Sequence, residues 1–419
     1  MSESRNLLLR WVDNPEKLEN LYRKNPESFE KLLEASLEIE PESLVLRIWK
    51  TRIDWIDRKP SKFSVWPAIG MAVVVGLSFR LPALALGNEW YYPRFGALCI
   101  MLGVAAYLSL RNRHKHWFKG LVAVSLSLIY VSLLPDYQVE LADGSYRTSD
   151  SVVMALIHLP VAFLVFLGMC FTGDRWDHPD QRCDFIRYIG ELVILSVLVG
   201  LGGIALSGLT IALFQLIGLA IEEWYFENIG LMCAAAIPVG ATFLYESMFQ
   251  RKVSIAPVLA KVFAPLFLIM VSVYLVAMLI QGQNPFIDRE FLVTFDGLLL
   301  LVLGITVFSL VGRQKTAVGI LDYVNLALIS VTLIIDLVAL SAIVFRLISM
   351  GITPNRVAVL GANLTILVHL FQIFREYLGS VRRDDGFPFI NGVIGQYLPL
   401  YSVWAAIVVF VFPFLFGFR

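Results

Sequence analysis

Long apolar runs are the feature that most constrains what this chain can fold into. Each run holds roughly 20 residues rich in Leu, Val, Ile, Phe and Ala, which is the length that an α-helix needs to cross the hydrocarbon core of a bilayer. Strands of a transmembrane barrel would instead read as segments of roughly 10 residues with alternating polarity. The sequence therefore predicts an all-α fold, a polytopic transmembrane helical bundle in contact with the lipid bilayer.

The runs number about eleven by this length criterion. They lie at 66–86, 92–110, 117–134, 152–171, 188–221, 229–246, 257–280, 291–311, 317–345, 354–375 and 393–416. The fifth run could be one tilted helix or two segments broken at Gly200-Leu201-Gly202-Gly203. We keep it as one span, because splitting it would reverse the side of every later loop. Hydrophobic residues make up 58% of the chain and charged residues 16%, which excludes an ordinary soluble domain.

The basic residues of the connections alternate from one side of the membrane to the other. Fourteen lie in the connections assigned to the inside, namely Arg111, Arg113, Lys115, Lys119, Arg175, Arg182, Arg187, Arg251, Lys252, Arg313, Lys315, Arg375, Arg382 and Arg383. The outside carries five, Arg147, Arg289, Arg346, Arg356 and Arg419. The positive-inside rule then predicts a cytoplasmic N-terminus and a periplasmic C-terminus. The net charge of zero does not point to nucleic acid, and no such partner is predicted.

Residues 1–62 precede the first run. They are predicted to form a small cytoplasmic helical segment, distinct from the transmembrane domain at 63–419. Three helix starts are legible, at Asn14-Pro15-Glu16, Asn25-Pro26-Glu27 and Glu40-Pro41-Glu42. In the third helix one amphipathic face is predicted from helical spacing, and it holds Leu44, Val45, Ile48, Arg52 and Ile56. The segment is either a cap on the membrane domain or a docking module for a cytoplasmic protein partner.

Motifs for metals, cofactors and soluble-enzyme chemistry are lacking. The four cysteines, Cys99, Cys170, Cys183 and Cys233, form no C-x-x-C pair, so neither a zinc ribbon nor a disulfide framework is indicated. We predict no metal and no cofactor. An intramembrane enzyme is disfavoured because no nucleophile is paired with a base.

Polar residues inside two late spans are the strongest functional signal, because lipid cannot satisfy such groups. In the ninth span Asp322, Asn325, Thr332 and Asp336 fall within roughly 80° on one helical face. The tenth span places Thr365, His369, Gln372 and Glu376 on one face. We predict an ion or substrate path formed by Asp336, Asn325, Thr332, His369 and Gln372. Weaker candidates are Lys261 and Asp296, and Arg80 is expected to reach the headgroups.

Arg346 and Arg356 flank the connection between these two spans and put two cations on the outside. They are predicted to bound the outer mouth of the path or to contact an anion or lipid. Thr353 can cap the tenth span, with Pro354 at its first position. Two functions follow. One is a proton- or ion-coupled transporter or permease for a small molecule or ion, and the other is a non-transporting scaffold that docks its partner through residues 1–62. Homo-oligomer formation is left open.

The segment from Arg346 to Arg356, with its Gly351-Ile352-Thr353-Pro354-Asn355-Arg356 motif, resembles the signature of a broad family of bacterial multi-spanning membrane proteins known only as a domain of unknown function. The resemblance covers this motif and the layout of the late helices, and leaves out the N-terminal segment. It implies a bacterial inner-membrane location and supplies no activity.

The topology can be tested with reporter fusions. We expect a reporter placed after Arg313 to be active only as a cytoplasmic fusion and one placed after Arg419 only as a periplasmic fusion, because of the charge asymmetry. Paired alkaline phosphatase and fluorescent-protein fusions measure this. The same side for both sites contradicts an odd number of spans between them.

Overall fold

A computed structural model of the chain describes residues 8–24, 26–57, 65–110, 115, 117–136, 138–140, 146–248, 255–281, 286, 289–311, 318–383 and 390–418. Its internal contacts divide the chain into two compact units, Met1–Ser64 and Val65–Arg419.

The first unit contains three helices, α1 (Pro15–Lys24), α2 (Pro26–Ile39) and α3 (Leu44–Asp57). The side chain of Asn14 accepts a hydrogen bond from the Lys17 backbone N–H at 3.1 Å, which confirms the predicted cap of α1. The helices enclose a small apolar core formed by Leu8, Leu18, Phe29, Leu33, Leu46, Trp49 and Ile53.

Two expectations for α3 are wrong. The helix begins at Leu44 and not at Pro41, because Pro41 and Glu42 form a turn. Its buried face is formed by Leu46, Trp49 and Ile53, whereas Leu44 and Ile48 are 70% and 57% exposed. α3 carries apolar residues on more than one face, and the face with the large Trp49 ring buries more apolar area against α2.

The second unit is a bundle of long helices. They are α4 (Trp66–Leu86), α5 (Asn88–Ser109), α6 (Trp117–Leu133), α7 (Asp150–Thr172), α8 (Pro179–Leu216), α9 (Glu222–Ser247), α10 (Ile255–Gln281), α11 (Arg289–Leu310), α12 (Ile320–Met350), α13 (Pro354–Arg383) and α14 (Ile390–Phe410), followed by the short α15 (Phe412–Leu415). A two-stranded antiparallel hairpin, β1 (Gln138–Glu140) and β2 (Tyr146–Thr148), joins α6 to α7. All predicted apolar runs thus correspond to helices of this unit.

Among the described residues, nine helices are long and apolar enough to cross a membrane, and two apolar stretches, Trp117–Leu133 and Phe295–Leu310, are shorter. The predicted all-α bundle of a multi-pass membrane protein is confirmed. The uncertain fifth run is one continuous helix, since α8 extends without a break through Gly200, Gly202 and Gly203. Its 38 residues span about 57 Å at 1.5 Å per residue, which exceeds the hydrocarbon thickness.

Two helix pairs, α4–α5 and α8–α9, share a turn that the pattern of apolar runs did not predict. The same Glu-Trp-Tyr-x4-Gly-x2-Cys pattern occurs at 89–99 and 223–233. In both places a glycine with positive φ, Gly87 or Gly218, ends the first helix. A short α-helical turn and then a five-residue π-helical turn open the second helix. Since only glycine adopts positive φ without strain, the two pairs use one local solution to reverse the chain.

Arg94 and Arg80, which lie near these turns, are buried and donate hydrogen bonds to other residues of the protein. Arg94 is fully buried and donates to the carbonyls of Leu134 and Pro135 at 3.2 and 3.0 Å and to Asp136 at 3.1 Å, so it satisfies carbonyls at the end of α6. The expectation that Arg80 reaches the headgroups is wrong. Arg80 is 5% exposed and donates to the Asn228 side chain at 3.2 Å, because α4 packs against α9 at this level.

Gly361 allows α13 to approach α14 closely, because a Cβ at this position would overlap the indole of Trp404. We expect Gly361→Ala to lower stability by about 1–3 kcal/mol, the usual cost of overpacking. Thermal unfolding of the purified protein in detergent measures the change. Gly208→Ala in α8 is the matched control, since a Cβ there meets nothing within 4 Å. Equal unfolding of both variants contradicts the tight α13–α14 contact.

Candidate functional site

The polar stripe predicted in the ninth span lies on the inner face of α12. Asp322, Asn325, Thr332 and Asp336 are each at most 3% exposed. On α13, His369 is also buried, and Gln372 is half-buried. The sequence therefore predicted correctly which face of α12 is enclosed by protein.

Asp336 is the most unusual of these residues. Its side chain is fully buried, and among the described residues neither carboxylate oxygen has a hydrogen-bond partner. No cation pairs with it among the residues that the structure describes. Its electrostatic neighbours are Asp296 on α11 and Tyr401 on α14. A second acid, rather than a base, thus lies near a buried carboxyl group.

Asp296 is held by α13. The Asn363 side-chain amide donates a hydrogen bond to the Asp296 carboxylate at 2.7 Å, and Asn363 is itself buried. Since this bond satisfies one oxygen of Asp296, the neighbouring Asp336 is the acid left without a donor. α11, α12 and α13 therefore converge on a pair of carboxyl groups.

His369 lies in an aromatic arrangement with α14. Its Nδ1 is 2.9 Å from the Tyr401 hydroxyl, and its ring stacks on Tyr397 with centroids 4.3 Å apart and planes 1° from parallel. Gln372 lies near the Tyr397 hydroxyl. Because Tyr401 also interacts electrostatically with Asp336, polar groups follow one another from Asp336 through Tyr401 and His369 towards Gln372.

Other members of the predicted path are not joined to this series. Thr332 donates to the Leu328 carbonyl of its own helix at 2.7 Å, and Asn325 lies eleven positions before Asp336, about 16 Å along the helix axis. Among the described residues no hydrogen bond links Asp336 to Asn325 or to His369. The side-chain oxygen of Asn325 and Nε2 of His369 are buried without a partner.

Asp322 serves the start of α12. One carboxylate oxygen accepts from the Gly319 backbone N–H at 2.7 Å, and the other accepts from the Tyr377 hydroxyl at 2.5 Å. A carboxylate in the first turn also complements the helix dipole. Although Asp322 is as deeply buried as Asp336, both of its oxygens are satisfied by protein, so it is a structural acid.

The two arginines of the predicted outer mouth bind backbone carbonyls. Arg356 donates to the carbonyls of Met350 and Gly351 at 3.0 and 2.7 Å, which caps the C-terminus of α12. Arg346 is 8% exposed and donates to the Phe286 carbonyl at 3.2 Å. The predicted cap of α13 is confirmed, with the Arg356 N–H donating to the Thr353 hydroxyl over a long 3.4 Å.

Tyr397, Tyr401 and Asn363 were missed by the sequence reasoning. The tyrosines are one helical turn apart on α14, so their i, i+4 spacing in an apolar run was an available signal. Asn363 is an amide inside the apolar start of α13. What the sequence could not supply was the packing that brings Asn363 to Asp296 and Tyr401 to His369, because the partners lie on different helices.

Three helix pairs of the bundle, α4–α5, α8–α9 and α12–α13, can be compared at the level of Asp336. Gly351 ends α12 with positive φ, as Gly87 ends α4 and as Gly218 follows α8. Asp336 lies fifteen positions before Gly351. The residues fifteen positions before Gly87 and Gly218 are Ala72 and Gly203. The first two pairs thus make their turns without a carboxyl group at this level, so Asp336 is not needed for the turn.

No three His, Cys, Asp or Glu side chains in the described part of the chain are grouped so that they could hold a metal ion. No known family model, curated protein or solved structure matches this chain. Arguments about function therefore depend on the geometry of the site itself.

The contact between His369 and Tyr401 can be measured with a double-mutant cycle. We expect His369→Phe and Tyr401→Phe to show a coupling free energy of about 0.6 kcal/mol, and at most about 1.7 kcal/mol, as for other hydrogen bonds between membrane helices. Unfolding of the four proteins in mixed micelles measures this. Tyr130→Phe is the control partner, because its hydroxyl donates to the Val409 carbonyl and shares nothing with His369. Additive effects for both pairs contradict the contact.

Proposed function

We propose that this multi-pass membrane protein is a transporter coupled to protons or another small cation, with Asp336 as the site where the coupling cation binds. The observation that carries the proposal is the Asp336 carboxyl group, which is fully buried and receives no donor on either oxygen from the part of the chain that the structure describes. The neighbouring Asp296 supplies further negative potential at the same place.

The charge of the Asp336 carboxylate requires compensation. An ionised carboxylate among membrane helices costs several kcal/mol unless it is paired or hydrogen-bonded. Asp336 has neither kind of partner among the described residues, so its charge must be neutralised by a bound proton or cation. A group that must take up a cation in one state and can release it in another is what ion coupling requires.

Tyr401 and His369 offer a route for a proton next to this acid. A hydroxyl and an imidazole nitrogen 2.9 Å apart can exchange donor and acceptor roles, and an imidazole can carry a proton between its two nitrogens. Nε2 of His369 has no partner within the described ranges and can accept a proton from the far side. In this proposal Asn325, Thr332 and Gln372 line the remainder of the path.

Arg346 and Arg356 lie at the C-terminal end of α12, where the charge pattern predicts the outer surface. Their bonds to backbone carbonyls support a role in fixing the helix ends beside the outer mouth. The bacterial inner membrane, a cytoplasmic N-terminus and membership of the domain-of-unknown-function family belong to the same proposal and rest on the sequence.

A second function, a scaffold that docks a cytoplasmic protein, is favoured by one observation in the N-terminal unit. Leu44 and Ile48 are exposed one turn apart on α3, and apolar side chains left in water commonly mark a binding surface. Substituting both residues with Glu removes this surface and spares the apolar core of the unit. Loss of function in this variant, with normal activity of Asp336→Asn, supports the scaffold.

The transport proposal is tested with Asp336→Asn, which keeps the size of the side chain and cannot bind a proton. We expect the wild-type protein in liposomes to carry protons in response to an imposed membrane potential, measured with an entrapped pH-sensitive dye. The variant should fall to the level of empty liposomes. Infrared spectroscopy of the wild type should show a protonated carboxyl band that disappears in Asp336→Asn.

Asp322→Asn is the matched control, because Asp322 is an equally buried acid of the same helix whose oxygens are satisfied by protein. It should retain both the proton flux and the carboxyl band. Proton flux that is unchanged in correctly folded Asp336→Asn overturns the proposed role of Asp336.

A further inference from the structure

A cavity of about 380 Å³ lies between α6, α7 and α14. This volume falls in the range of roughly 300–1,000 Å³ found for ligand pockets. Its walls are almost wholly apolar, with Val124 from α6, Phe163, Phe166 and Met169 from α7 and Phe410 from α14. All the lining residues belong to apolar helices of the bundle.

Loose packing of α6 creates this groove. Within α6 only Val124 and Val131 are buried, whereas Leu126 and Leu133 are 61% and 78% exposed. The helix approaches α7 closely at Gly120, where a Cβ would come within 2.8 Å of the Phe166 ring. Beyond that contact the two helices leave room for a flexible apolar chain.

Lys119 supplies the one charged group on the described wall of the groove. It lies in the first turn of α6, it is exposed, and it forms no ion pair or hydrogen bond with another residue that the structure describes. A cation at a helix N-terminus is unfavourable towards the helix dipole, so α6 gains nothing from it. An anion at this end would be attracted by both the ammonium group and the positive end of the helix dipole.

We propose that the groove binds one acyl chain of an anionic phospholipid, with the phosphate against Lys119. Apolar contact alone discriminates weakly here, because bulk lipid is as apolar as the groove. The lysine provides the selection, since it is the charged residue on the described wall of the groove. This site is independent of the proposed cation site at Asp336.

Native mass spectrometry of the full chain tests the headgroup. The protein is released from vesicles that contain equal amounts of phosphatidylglycerol and phosphatidylcholine, and the retained lipid is identified. We expect about a fivefold preference for the anionic lipid, the factor equivalent to the ~1 kcal/mol that one lysine contributes near an anionic surface. Lys119→Ala should remove the preference and Lys119→Arg should keep it.

Lys261→Ala is the matched control, since Lys261 is also an exposed lysine on a span and lies outside the groove wall. It should leave the preference unchanged. Equal lipid selectivity in the wild type and Lys119→Ala overturns the proposal, as does a preference for phosphatidylcholine in the wild type.

Filling the groove tests the acyl chain separately. Ala123→Trp places an indole in the cavity and should reduce retention of both lipids. Ser125→Trp, at an exposed position of the same helix outside the cavity wall, should retain them as the wild type does. If both variants bind lipid equally well, the acyl chain is not in this groove, and lipid held by Lys119 alone is a headgroup contact.

Discussion

Hydrocarbon offers no partner to a hydrogen-bonding group, and the second unit of this protein is organised by that constraint. Its apolar runs are helical because a helix satisfies its own backbone within one segment. Where the chain must leave the helix, side chains take over. Arg94 caps the end of α6 and Arg356 caps the end of α12, so two arginines satisfy backbone carbonyls at helix ends.

The same constraint makes Asp336 stand out. Asp322 and Asp336 lie on one face of one helix and are equally buried. Asp322 receives donors from Gly319 and Tyr377, whereas Asp336 receives none and faces Asp296. The protein thus supplies hydrogen-bond donors to both oxygens of Asp322. Among the described residues it supplies none to Asp336. This contrast within α12 is the reason for assigning cation binding to Asp336.

A similar turn recurs in the helix pairs of the bundle. Two helix pairs share the Glu-Trp-Tyr pattern and its π-helical turn, and a positive-φ glycine ends the helix before the turn in the third pair as well. The first two pairs are apolar at the level of Asp336, and α4 of the first packs extensively against α9 of the second. The residues of the candidate site lie on α11 to α14, outside the first two pairs.

The sequence by itself determined the helical class, the continuity of α8 and the buried face of α12, because length, charge and 3.6-residue periodicity are local properties of the chain. Periodicity failed for α3, where two apolar faces compete and only packing selects one. It also could not separate Asp322 from Asp336, or find Asn363 and Tyr401 beside the acids. Those distinctions depend on which helices meet, and hydrogen bonds between residues far apart in the chain are decided only by the tertiary structure.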